Sequence, residues 1–189
     1  SITLLQICLT SPKPVVRFAA ARTLNRLSQY RPHLVARCNS DMEPLLSDQN
    51  RSVATLALTT LLKTGHESNV DRLVKQITSF MCDITDSFKS EVVAAVKELC
   101  IQYPGKHKIL MGFLSSNLRE EGSADFKRDL TEALIYCTQH VNGAKECGLL
   151  HLCEFIEDCE YPTLCVKIIG LLGQEVPNTS NPSKFVRFI

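Results

Sequence analysis

Apolar residues recur along this chain at the three- and four-residue intervals of an amphipathic helix, and short polar stretches interrupt them. In Pro14–Tyr30, Val15, Val16, Phe18, Ala19, Leu24 and Leu27 form one wide apolar stripe. Ser11-Pro12-Lys13-Pro14 ahead of it is a start signal. It offers a hydroxyl as cap candidate, then a proline where the missing N–H costs nothing. The same pattern predicts helices over 50–63, with Ser47 and Asp48 as cap candidates, and over 67–80, 86–103, 106–118, 123–140, 144–158 and 162–174. Gly65, Pro104-Gly105, Gly122 and Gly143 punctuate these segments, and 174–181, with Pro177, Asn178 and Ser180, reads as a loop. No segment alternates with period two for long enough to predict a strand.

The helices also resemble one another at a fixed interval. Ala20, Ala57, Ala95 and Ala133 are spaced 37, 38 and 38 residues apart, and a further step of 37 lands on Gly170. Four residues after the alanines stand Leu24, Leu61, Leu99 and Cys137, and between them Ile77, Leu114 and Leu152 repeat at 37 and 38. A small residue in each unit lets neighbouring helices approach closely, and the flanking Leu fills the space between them. Two helices per unit of this period predict an all-α fold: a right-handed α-α superhelix, a HEAT/armadillo-like solenoid of about five helical hairpins. Tetratricopeptide repeats are shorter and need a Trp and a closing Pro, and ankyrin repeats need a TPLH-like turn, so both fit worse.

Ser11-Pro12-Lys13-Pro14-Val15-Val16-Arg17-Phe18 returns as Asn181-Pro182-Ser183-Lys184-Phe185-Val186-Arg187-Phe188, with Pro, Val, Arg and Phe in the same order. With no Met at the start and a new unit opening at the end, residues 1–189 read as one fragment of a solenoid trunk, truncated at both ends.

Composition narrows the function. A formal charge of +1, from 21 Lys plus Arg against 20 Asp plus Glu, argues against a surface built to neutralise many phosphates, so no nucleic acid is expected. No apolar run approaches a membrane span. The nine cysteines include no CxxC pair, and most fall inside apolar helical patterns, where a thiol behaves as a small hydrophobe. They are expected to be reduced core filler in a cytoplasmic protein.

Candidate chemistry is sparse. No GxGxxG, GxxxxGK[ST] or GxSxG occurs, and His66-Glu67 lacks the second His of HExxH because Val70 stands there. Cys147 and His151, four residues apart on one helical face, are the best metal candidates. The six-residue steps from Cys147 to Cys153, Cys159 and Cys165 turn each thiol about 240° around a helix, so the four cannot converge on one ion. No catalytic, cofactor-binding or metal residue is therefore assigned, and no cofactor. Arg72, Lys75, Lys106 and Lys108 are the exposed candidates for contact with an acidic partner, although charges of this kind are usually a solvated face.

Residues 50–65, Val70-Asp71-Arg72-Leu73-Val74-Lys75-Gln76-Ile77, Leu118-Arg119-Glu120-Glu121-Gly122, 149–160, Leu171-Leu172-Gly173-Gln174-Glu175 and Pro182 to Ile189 carry a resemblance. From about Pro12 to its end the chain is similar to the helical trunk of the coatomer gamma-subunit family, within the adaptin N-terminal-like group. The resemblance implies a non-enzymatic vesicle-coat scaffold in Golgi-to-ER and intra-Golgi transport. It further implies pairing with a zeta coat subunit, assembly with beta and delta subunits, recruitment by an Arf-family GTPase in its GTP form, and peripheral association with Golgi membranes and vesicles. The alternative is a general HEAT-repeat module that binds peptides or cargo. A metal-dependent enzyme built on the Cys147–His151 face is a third reading, and it lacks a third ligand.

Overall fold

A computed structural model describes residues 2–186. It is helical throughout its regular structure, without strands among the described residues, and forms two compact units, 1–95 and 96–189. The first holds α1 (Ile2–Leu9), α2 (Pro14–Tyr30), α3 (Pro32–Val35), α4 (Asn39–Met42), α5 (Arg51–Thr64), α6 (Val70–Phe80) and the first half of α7 (Asp86–Gln102). The second holds the rest of α7, then α8 (His107–Arg119), α9 (Ala124–His140), α10 (Lys145–Ile156), α11 (Pro162–Glu175) and the single turn α12 (Ser183–Val186).

In the first unit α5 is the central element, packed against α2 and the 32–47 segment. Nearly every side chain from Val53 to Leu62 is buried. Three threonines among them, and Thr64 just beyond, would be costly in such a setting. Thr55, Thr59, Thr60 and Thr64 solve this by donating to the carbonyl four residues back, at 2.6 to 2.9 Å. Their oxygens then serve the neighbours: Asn25 Nδ2 on α2 donates to Thr59 Oγ1 at 2.8 Å and Thr60 Oγ1 at 3.0 Å. Asn39 closes the end of α5 by donating to Thr64 O at 3.1 Å.

The caps differ from expectation. The α5 cap is Asn50, accepting from Ser52 N at 3.0 Å and Val53 N at 3.4 Å, rather than Ser47 or Asp48. Asp48 instead accepts Arg17 Nε at 2.7 Å and Arg17 Nη2 at 3.2 Å. Lys13 occupies the cap position of α2 without a side-chain bond, and Ser11 lies two residues too early to reach the helix N–H groups. Pro14 stands at the first turn as expected.

Segment 32–47 lies outside the helices that apolar spacing predicts. It forms α3, α4 and two 3-10 turns, because Pro44 withholds an N–H and Asn39, Ser40 and Asp41 are weak helix formers. Even so, Val35, Cys38, Met42 and Leu45 bury one face at spacings of three and four, and this broken helix supplies the second arm of the hairpin begun by α2.

The repeat register holds through four units. Ala20, Ala57, Ala95 and Ala133 are buried, as are Leu24, Leu61, Leu99, Cys137, Ile77, Leu114 and Leu152. It fails at Gly170, which is exposed and has nothing within 4 Å of the place a Cβ would take. The buried side of α11 carries Leu164, Ile168, Leu171 and Leu172 instead, facing α9 and α10. The 174–181 segment is partly helical: a 3-10 turn spans Val176–Asn178, and Ser180 bonds Glu146 through its N–H and hydroxyl. Arg187 and Phe188 of the terminal echo lie outside the described residues.

Cysteine burial also departs from expectation. Cys38, Cys100, Cys137 and Cys153 are buried, four others are half-buried and Cys82 is exposed, so core filler accounts for fewer than half. No helix among the described residues is long and apolar enough to cross a membrane.

Candidate interaction groove

A cavity in the second unit follows from how α8 ends. The last carbonyls of a helix lack intrahelical donors and carry the negative end of its dipole. Lys127, one turn into α9, fills that need. Its side chain is 6% exposed, and its Nζ donates to the carbonyls of Leu118 at 2.6 Å, Asn117 at 3.3 Å and Glu120. Ser123 caps α9, accepting from Phe126 N at 3.3 Å, and Phe126 fills the space beneath Gly122. A Cβ at Gly122 would stand 2.8 Å from the Phe126 ring, which accounts for the glycine in this turn.

The 118–122 turn and Lys127 form one wall of a cavity of about 690 Å³, and Phe155, Asp158, Glu160 and Tyr161 form the other. Four carboxylates, on Glu120, Glu121, Asp158 and Glu160, line it. Arg119 is tied to Glu154 at 2.5 Å. The lining brings together hydrogen-bond acceptors and apolar surface, but no Ser, Cys or His that could act as a nucleophile. Its carboxylates can accept hydrogen bonds from a partner's donors.

The residues singled out from sequence are dispersed. Arg72 and Lys75 stand one turn apart on the exposed face of α6, and Arg72 is engaged by Glu43 at 2.6 and 3.2 Å. Lys108 is exposed at the start of α8, and Lys106 is half-buried in the preceding 3-10 turn. Arg72 and Lys75 lie in the first unit and the other two in the second. Cys147 and His151 both lie on α10. Burial pushes the Cys147 thiol up, and burial holds His151 below its ordinary value, with its Nδ1 buried and unbonded. A thiol is not the metal-binding form of cysteine. Among the described residues no three His, Cys, Asp or Glu side chains stand where they could hold a metal ion.

The groove has no signature in the sequence. Leu118 to Gly122 stood out as a string and Gly122 as a turn, but a lysine inside an amphipathic helix gives no sign that it will fold back on the preceding helix.

The adaptin N-terminal region family model matches residues 1–189, the whole chain. The chain belongs to this family. Within it, the chain is 57% identical over 189 residues to coatomer subunit gamma of Arabidopsis thaliana, 55% to coatomer subunit gamma-1 of Oryza sativa subsp. japonica, and 53% to coatomer subunit gamma-1 of Homo sapiens. All of this chain is covered in each case, but only 21%, 21% and 22% of those relatives, so it spans about a fifth of their length. Membership agrees with the all-α, HEAT-like class that the repeat period predicted.

Proposed function

We propose that this chain is a stretch of the trunk of a coatomer gamma subunit. It acts as a non-enzymatic scaffold of a vesicle coat in Golgi-to-ER retrograde and intra-Golgi transport, on the cytoplasmic side of Golgi membranes and vesicles. The observation that carries the reading is identity above 50% to coatomer gamma subunits along every residue of the chain. Stacked helical hairpins suit the role, since each adds an exposed surface without altering the core of its neighbours. The partners in this reading are the zeta coat subunit, the beta and delta subunits, and an Arf-family GTPase in its GTP form. Lys75 and Lys108 are exposed cations available to acidic partner faces, whereas Arg72 must first release Glu43.

The test is capture by the immobilised chain of purified zeta subunit and of Arf locked in its GTP or GDP form. Retention of zeta, or of Arf in the GTP form alone, is the expected result, with Lys75→Glu and Lys108→Glu reducing it. Retention of neither removes the coat reading and favours a general peptide-binding repeat module.

A further inference from the structure

The six-residue step between Cys159 and Cys165 would turn their thiols apart on a continuous helix. The chain is not continuous there. α10 ends at Ile156, and Tyr161 and Pro162 start α11, so the two cysteines stand on either side of one turn. Cys165 Sγ lies 3.5 Å from Cys159 O, and Cys159 Sγ lies 3.6 Å from Tyr161 O. The Tyr161 carbonyl also accepts Cys165 N at 3.0 Å, so both thiols lie against the carbonyls of one turn. Both are half-exposed, within reach of a small solute, unlike Cys153, which is fully buried.

We propose that Cys159 and Cys165 form an oxidisable thiol pair that closes to an intramolecular disulfide on reaction with a small disulfide oxidant of the glutathione disulfide type. In the first step the Cys165 thiolate attacks one oxidant sulfur. The oxidant S–S bond breaks, one thiol leaves, and Cys165 carries a mixed disulfide. In the second step Cys159 gives its proton to solvent and attacks the Cys165 sulfur, expelling the second thiol. The two cysteines lose two electrons and two protons, and the oxidant gains both to become two thiols. Cys159 is assigned the second step because burial pushes its thiol up. Placement of both thiols on one turn makes the second step intramolecular and fast relative to a second encounter with oxidant. Glu160 and Tyr161, inside the closed loop, line the groove, so the disulfide pins one of its walls.

The experiment treats the folded chain with glutathione disulfide, blocks remaining thiols with N-ethylmaleimide after denaturation, and sequences the tryptic peptide 146–167 by mass spectrometry. The expected product lacks two hydrogens, carries no label on Cys159 or Cys165, and yields no backbone fragments between them. In the same sample the exposed Cys82 becomes a mixed disulfide, which reports that the oxidant reached the chain. In Cys159→Ser, Cys165 should stop at the mixed disulfide. Recovery of both cysteines labelled, or each separately joined to glutathione, while Cys82 has reacted, overturns the proposal. Circular dichroism of the variant, unchanged from the parent, confirms that the comparison is between folded chains.

Discussion

Gly148 is the residue whose replacement most sharply separates local preference from packing. It lies inside α10, where alanine would favour the helix by about 0.8–1 kcal/mol. A Cβ there would stand 2.9 Å from Thr138 Cβ and 2.7 Å from Met111 Cε, and would overlap Thr138 Oγ1 outright. Met111 can swing its terminal methyl away. Thr138 cannot move as cheaply: it is β-branched on α9, and its hydroxyl donates to Leu134 O at 2.7 Å. Overpacking of this kind costs about 1–3 kcal/mol, and a displaced hydroxyl forfeits about 1 kcal/mol of hydrogen bonding. After the helix-propensity gain, Gly148→Ala should destabilise the chain by about 1–3 kcal/mol. In urea unfolding followed by far-ultraviolet circular dichroism, the midpoint should fall by roughly 0.5–1.5 M for an m-value of about 2 kcal/mol/M. Gly112→Ala on α8 is the control, since nothing lies within 4 Å of its Cβ position. It should gain up to about 1 kcal/mol. A Gly148→Ala midpoint at or above that of the parent would refute the close approach of α10 to α9.

Asn25→Ala removes the donor that joins α2 to Thr59 and Thr60 and should cost about 1–3 kcal/mol in the same assay; no change in midpoint would rule out that bond as a tie. Lys127→Met leaves the end of α8 without its cation and should cost about 2 kcal/mol, with faster hydrogen exchange at the end of α8 as its local signature. Arg17 beside Asp48 holds that carboxyl below the ordinary range, so its stabilisation is complete above the unfolded value near ~3.9 and is lost as pH falls through the lower folded value. The midpoint difference between the parent and Asp48→Asn should therefore be largest near neutral pH and shrink in that acid window, and a difference independent of pH would contradict the assignment. Lys167 and Glu132, half-exposed at 2.7 Å, should show a double-mutant coupling below about 1 kcal/mol that salt reduces.

The helices and their period are already present in the spacing of the apolar residues. Apolar spacing is a local property of a helix, so α2 and α5 to α11 were legible, and the burial of Ala20, Ala57, Ala95 and Ala133 followed from the repeat. Segment 32–47 carried a usable signal in Val35, Cys38, Met42 and Leu45, hidden by Pro44 and its polar neighbours. Features that depend on residues distant along the chain emerge with packing. Gly170 follows the period yet lies on a face of α11 with nothing packed on it. Lys127 reads as a surface charge until the end of α8 is seen to need it. The groove exists because two turns 40 residues apart share its walls. Cys159 and Cys165 share one turn because α10 ends before them and α11 begins between them. Periodicity records which side of a helix is apolar; which groups lie opposite is settled by packing, through contacts that no local spacing encodes.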